Sequence, residues 1–192
     1  MKYIRKYKCL SQQEFINSNY KLIPIMDEDK YVIMKWRNDQ IDILRQKEPL
    51  TKEQQELYFQ NVVDKLFQEE KPGQLLFSFL ENDILIGYGG LVHIDWESKN
   101  GEISFITTTY RNSEMQLFAR DFRNFLRIIL SVSFDFLEFI KIHTTFYDIP
   151  QRQLYKSILE EFNFISEGEL KNHILINGKV SNTLIYSCFK NN

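Results

Sequence analysis

The sequence is poor in the residues that break, staple or stretch a chain. Seven glycines and four prolines are spread over 192 positions. That leaves no material for a flexible linker or a low-complexity tract. Only two cysteines occur, Cys9 and Cys188, and two thiols so far apart in sequence make no disulfide framework. Free thiols in the cytoplasm are the expectation. Long apolar runs are missing too. The most apolar stretch, "FLRIILSVSFDFLEFI", is interrupted by Arg127, Asp135 and Glu138, so no membrane span is expected. The first residues lack a continuous apolar segment, so no secretory leader is expected either. Nor does one sign of charge dominate. The formal net charge is −2, which gives no ground for a nucleic-acid or anionic-membrane partner. The basic residues Lys2, Arg5, Lys6 and Lys8 are interleaved with Tyr3, Ile4 and Tyr7, and read as an ordinary edge segment.

What is present is core-building material. Hydrophobic residues make up 43% and aromatic residues 15% of the chain, enough for one packed domain over residues 1–192, with 1–19 as an N-terminal extension. "YKLIPIM" (20–26) predicts a strand and "DEDKYVIMKWRND" (27–39) a helix capped by Asp27. A short helix is expected over 41–46, ending before Pro49. Residues 51–70 open with Thr51 and Gln54 in capping-box spacing, with Leu57, Phe59, Val62, Val63 and Leu66 on a helical face. "QLLFSFLEN" and "DILIGYGGLVHI" predict two antiparallel strands around a turn at Glu81–Asp83, and "GEISFIT" a third. A helix is expected from Ser113 to Ser131, a buried strand over 139–146 and a helix over 151–162. The closing "NHILINGKVSNTLIYSCF" predicts a hairpin turning at Asn177–Gly178. The order is that of an α/β (α+β) protein: a mixed central sheet flanked by helices.

With the segments "KWRND" (35–39), "LIGYGGLVHID" (85–95), "GEISFI" (101–106), "LEFIKIHTTFYD" (137–148), "ILEEFNFISEGELK" (158–171) and "NGKVSNTLIYS" (177–187) in that order, the chain resembles the GNAT superfamily of acyl-CoA-dependent N-acyltransferases. The resemblance covers residues 20 to 189. It lies nearest the branch of ribosomal-protein N-terminal acetyltransferases and amino-sugar acetyltransferases of surface-polysaccharide pathways. It implies acetyl-CoA as co-substrate, a small-molecule amine as acceptor and room for a homodimer.

The same comparison marks departures. The family's diphosphate loop, Arg/Gln-x-x-Gly-x-Gly/Ala, falls on Arg111-x-x-Glu114-x-Gln116, where Arg111 alone agrees. Leu159 stands where the family often has a tyrosine that protonates the leaving thiolate. Asn163 replaces a glycine, and Arg152 falls roughly where an asparagine is usual. Ser113 and Gln116 have capping-box spacing, which would occupy the helix donors a phosphate needs. Glu114 would put a carboxylate at the same pole. Arg120, Arg123 and Arg127 share one helix face, either as a phosphate clamp or as a solvated basic face.

Acyl transfer needs a base, an oxyanion donor and an acid for the thiolate. The base candidates are His93, Glu102, His143 and Asp148, with His93 first because its pKa suits proton transfer near neutrality. In the structural reading, the commoner one for such residues, each is a hydrogen-bonded bystander. Tyr155, one turn before Leu159, is either a replacement phenol or a core aromatic. Ser104, Phe105, Ile106 and Thr107 would carry the pantetheine arm, and Arg111, Arg120 and Arg152 its polar end. The resemblance places Trp36, Arg37, Asn38 and Arg45 at the acceptor site, where Arg37 or Arg45 would meet an acceptor phosphate; surface salt bridges are the alternative. Three histidines and two cysteines without ligand spacing predict no metal. Three functions stay open: an N-acetyltransferase for a small amine such as an amino sugar or nucleotide-linked amino sugar, a protein N-terminal acetyltransferase, and a module that has lost acyl transfer and binds a ligand or partner.

Overall fold

Asn82 and Asp83 both take positive φ, 49° and 65°, a conformation that Asn and Asp tolerate better than most residues. They turn β3 (Leu75–Glu81) into β4 (Ile84–Asp95), with Glu81 paired to Ile84. The computed structural model describes residues 5–176 and 178–190. It holds β3 and β4 in an eight-stranded sheet with β1 (Phe15–Asn17), β2 (Tyr20–Pro24), β5 (Asn100–Thr107), β6 (Lys141–Tyr147), β7 (Ile165–Ile176) and β8 (Lys179–Phe189). The order is β1-β2-β3-β4-β5-β6-β8-β7. All neighbours are antiparallel except β5 and β6. A helical crossover joins that pair, as a parallel connection requires. The expected parallel pairing of "EISFIT" with "FIKIHTTF" is therefore present. Lys2, Tyr3 and Ile4 of the expected edge segment, and Asn177 of the expected turn, lie outside the described residues.

Period-two alternation sorts the central strands between two layers. Phe79, Phe105 and the ring-contacting Gly89 face α5 (Met115–Ser131), where Phe122 and Phe125 meet them: the Phe105 and Phe125 centroids are 4.4 Å apart. α6 (Gln153–Glu161) packs beside α5 through Tyr155, stacked on Phe122 at 4.5 Å. Leu76, Tyr88, Val92 and Ser104 face the other layer, with α1 (Lys30–Asp39) and α2 (Lys52–Tyr58). A π-turn over Phe59–Val63 joins α2 to α3 (Asp64–Leu66). Tyr7, Leu10 and Phe15 are buried in the core, and the Tyr7 hydroxyl both donates to the Leu76 carbonyl and accepts from its N–H. Gly90 has φ 151°, and a Cβ there would lie 1.9 Å from the Leu75 carbonyl oxygen, so only glycine fits between β3 and β5 at this point.

Several boundaries differ from expectation. Asp27 does not cap a helix. It starts a 3-10 turn (Asp27–Asp29) that leads into α1, and its carboxylate pairs with Lys30 and Arg5. The helix expected over 41–46 is one 3-10 turn, Ile41–Ile43. The Thr51–Gln54 capping box forms as expected, but Leu57 is exposed because the π-turn shifts the buried face to Phe59, Val63 and Leu66. The helix expected from Ser113 is broken. α4 (Thr109–Ser113) is capped by Thr108, and α5 starts afresh after Glu114, whose extended backbone serves as its N-cap.

Candidate active site

The parallel pairing of β5 and β6 runs only from Asn100–Lys141 to Glu102–His143. Beyond it β5 stays with β4 and β6 stays with β8, so the two strands part. The gap forms a cavity of about 210 Å³ lined by Glu102, Ile103, Ser104 and Phe105 on one side and Thr144, Thr145, Phe146 and Tyr147 on the other. The β5 edge facing it has no strand partner. Its backbone N–H and C=O groups are matched to an extended amide chain. A pantetheine thioester is such a chain, so the residues present fit that part of acyl-CoA. Of the expected cofactor residues, Ser104, Phe105 and Arg152 line this cavity, whereas Ile106 is buried in the core and the Thr107 carbonyl is taken by Gln40 at 2.9 Å.

Glu102 is buried where the strands part. One carboxylate oxygen lies 2.7 Å from His93 Nδ1; Arg45 bonds the other. Burial pushes the carboxyl up, but the His93 and Arg45 hydrogen bonds outweigh it and hold it below its ordinary value. His93 occupies a bulge in β4, at φ 49°. Its side chain is 68% exposed, and it lines a shallow groove with Asn61, Lys65 and Glu69 instead of the cleft. It therefore meets the cleft only through Glu102. His143, half-buried beside Glu102, has its pKa lowered, chiefly by burial. Asp148 is exposed, accepts from Gln153 at 3.2 Å and does not reach the cavity.

Tyr155 faces both the core and the cleft. It is a core ring against Phe122, and it also lines the cleft, with its hydroxyl 2.9 Å from Thr144 Oγ1. Burial pushes its pKa up, so the phenol stays a proton donor at neutral pH. Leu159 is fully buried one turn on. Arg152 reaches from the start of α6 over the Tyr155 ring, its Cζ 4.8 Å from the centroid, to the Ile43 carbonyl at 3.2 Å. Its Nε is buried with no partner.

A second cavity of about 240 Å³ lies under α1 and α2, lined by Gln54, Gln55, Tyr58, Gln74 and Tyr88 among apolar residues. It shares Arg37, Val92 and Ser104 with the cleft, so the two meet at that point. Arg37 donates to Tyr88 Oη at 2.8 Å and to Gln46 Oε1 at 3.0 Å. The other two residues expected on this helix are elsewhere. Trp36 is in the core, and Asn38 clamps the Leu50 backbone through both of its amide atoms. Sequence reasoning missed Tyr88, Gln54 and Gln74. Tyr88 was within reach, because the β4–β5 register sets it on the same face as Ser104.

The expected phosphate residues are committed to other partners. Arg111 pairs with Glu81 at 2.6 Å and Asp121 at 2.8 Å, and Arg120 with Glu81 at 3.0 Å. Arg123 pairs with Glu161, and Arg127 lies over Phe162. These are partners within the fold, not a clamp. The Ser113–Gln116 box does not form: Ser113 Oγ donates to the Tyr110 carbonyl, and no side chain caps α5. The first turn of α5 therefore keeps a backbone pole open to a diphosphate, with the exposed Glu114 beside it. Among the described residues no group of three His, Cys, Asp or Glu side chains is placed to hold a metal ion, and no helix is long and apolar enough to cross a membrane.

A family model described as "Acetyltransferase (GNAT) domain" matches residues 24–185. No curated protein sequence matches. Among solved structures, spermidine N-acetyltransferase from Vibrio cholerae, in complex with CoA and spermine, aligns at TM-score 0.67 and 20% identity over 91% of this chain and 97% of that one. Ribosomal-protein-S5-alanine acetyltransferase from Vibrio fischeri aligns at TM-score 0.71 and 16% identity over 94% and 98%. A GCN5-related N-acetyltransferase from Brucella melitensis aligns at 0.65 and 17% over 98% and 80%. At these identities the likeness is one of fold.

Proposed function

Because the chain belongs to the GNAT acetyltransferase family, as the match over residues 24–185 shows, we propose that it transfers an acetyl group from acetyl-CoA to the primary amine of a small acceptor, an amino sugar or nucleotide-linked amino sugar. The observation that carries this is the meeting of two cavities at Arg37, Val92 and Ser104, one slotted between the parted strands and one under α1 and α2. The second is lined by neutral hydrogen-bonding groups (Gln54, Tyr58, Gln74, Tyr88), which suit a polyhydroxylated molecule.

The thioester supplies an activated acyl carbon and a good leaving group. The protein aligns and handles protons. The free edge of β5 holds the extended arm and offers N–H groups to the developing oxyanion. Glu102, ionised at neutral pH, accepts the amine proton. His93 donates its Nδ1–H to the same carboxylate, and solvent at its exposed ring takes the proton onward. Arg45 positions Glu102. The Tyr155 hydroxyl donates toward the leaving sulfur, taking the place left by Leu159. Backbone donors at the start of α5 would hold the diphosphate.

Calorimetric titration with acetyl-CoA and single-turnover transfer to a panel of amino sugars, nucleotide-linked amino sugars, N-terminal peptides and diamines test this. Micromolar binding together with transfer to the sugar set is expected. Binding without transfer to any acceptor, or no binding, would instead favour a module that has lost the chemistry.

A further inference from the structure

The joined cavities are lined by three guanidinium groups, Arg37, Arg45 and Arg152, and one carboxylate, Glu102. Arg45 spends its charge on Glu102. The other two have only neutral partners among the described residues: Arg37 the Tyr88 hydroxyl and Gln46, Arg152 the Ile43 carbonyl and the Tyr155 face. Arg152 also has a buried Nε without a hydrogen bond. Cations placed in a cleft without counter-charge are costly unless something anionic arrives. A planar guanidinium with free N–H groups suits the two oxygens of a carboxylate or phosphate.

The arrangement also works against a cationic acceptor. Among the described residues, Arg37 is the sole charged one lining the cavity under α1 and α2. Both Glu102 oxygens are already held, by Arg45 and His93. No carboxylate is left to receive a second ammonium, so a polyamine would meet repulsion with no compensating partner.

We propose that the acceptor carries an oxyanion as well as its amine, and that Arg152, with Arg37 in the same cleft, binds that oxyanion. This rests on the acyl-transfer reading and assigns Arg152 to the acceptor instead of the donor. The probes are matched pairs titrated into the CoA-loaded protein: glucosamine against glucosamine 6-phosphate, and 1-aminobutane against 4-aminobutanoate, with 1,4-diaminobutane as the cationic arm. At least one oxyanion-bearing probe should bind about tenfold or more tighter than its counterpart without the oxyanion, and the pair that shows it tells phosphate from carboxylate. Arg152→Gln should remove most of that preference, and Arg152→Lys should keep part of it. Should Arg152→Gln fail to fold, Arg152→Lys and the wild-type pairs still decide. The proposal is overturned if neither anionic probe gains over its counterpart, if the diamine binds tightest, or if the preference survives both Arg152→Gln and Arg37→Gln. An anion preference in binding with no acyl transfer would leave this site standing and remove the transfer reading; transfer to amines that lack an oxyanion, without that preference, would do the reverse.

Discussion

Glu102 is held by three different constraints. Its backbone is the last β5 residue paired to β6, its carboxylate orders Arg45, and His93 leans on it from the solvent side. A carboxylate held below its ordinary pKa is ionised at neutral pH, the state in which it can accept a proton. Glu102→Gln should lower the single-turnover rate about 10²–10⁴-fold at pH 7, the usual contribution of a general base. His93→Ala should lower it by only about tenfold, since water reaches Glu102 once the ring is gone. Quenched-flow measurement of acetylated product across pH separates the two. Equal losses with the same pH profile would make His93 the base itself, and full rate in Glu102→Gln would move the base elsewhere. Both residues were legible in the sequence as titratable groups near strand ends. Their pairing was not, because a bulge at positive φ turns His93 toward a carboxylate nine positions later, and alternation alone does not foresee a bulge.

At the scale of elements, the start of α5 carries the sharpest difference between expectation and structure. Spacing suggested a self-capped helix. The structure has a separate turn, α4, and a helix whose N-cap Glu114 makes no side-chain bond. Glu114→Gly removes a negative charge from beside the helix pole, worth about 0.3–1 kcal/mol, so CoA affinity should rise about two- to fivefold. The same loss should lower the unliganded stability by no more than about 1 kcal/mol, offset in part because glycine is a favoured N-cap. Calorimetry with CoA and with pantetheine reads the effect, and the gain should appear for CoA alone. An equal gain for pantetheine, or a weaker CoA complex, would place the diphosphate away from Glu114.

The whole molecule is tied across the sheet by an ionic knot. Asp121, with no exposure, accepts from Arg111 and from Tyr20 at 3.0 Å, and Glu81 shares Arg111 and Arg120. This joins β2, β3, α4 and α5. Asp121→Ala leaves a partly buried guanidinium and a buried hydroxyl with fewer partners, and should cost about 3–5 kcal/mol. Arg123→Ala breaks a more exposed pair with Glu161 and should cost no more than about 1 kcal/mol. Urea unfolding followed by circular dichroism compares them, and similar midpoints for the two variants would mean the knot adds no more than a surface pair.

The sequence by itself determined what depends on near neighbours. Period-two runs set the strands and their faces, the apolar spacing of Phe118, Phe122, Phe125 and Ile129 set the body of α5, and Thr51 with Gln54 set a cap. Those signals are local because a side chain's direction follows from backbone period. Only the tertiary structure decided which charges are spent and which are free. Arg111 and Arg120 read as phosphate ligands until the fold set Glu81 and Asp121 against them, whereas Arg152 looked like one candidate among several until the parting of β5 and β6 left it over Tyr155 with no salt bridge among the described residues. Electrostatic partnership depends on distance in space, and residues thirty or a hundred positions apart leave no period in the chain by which to read it.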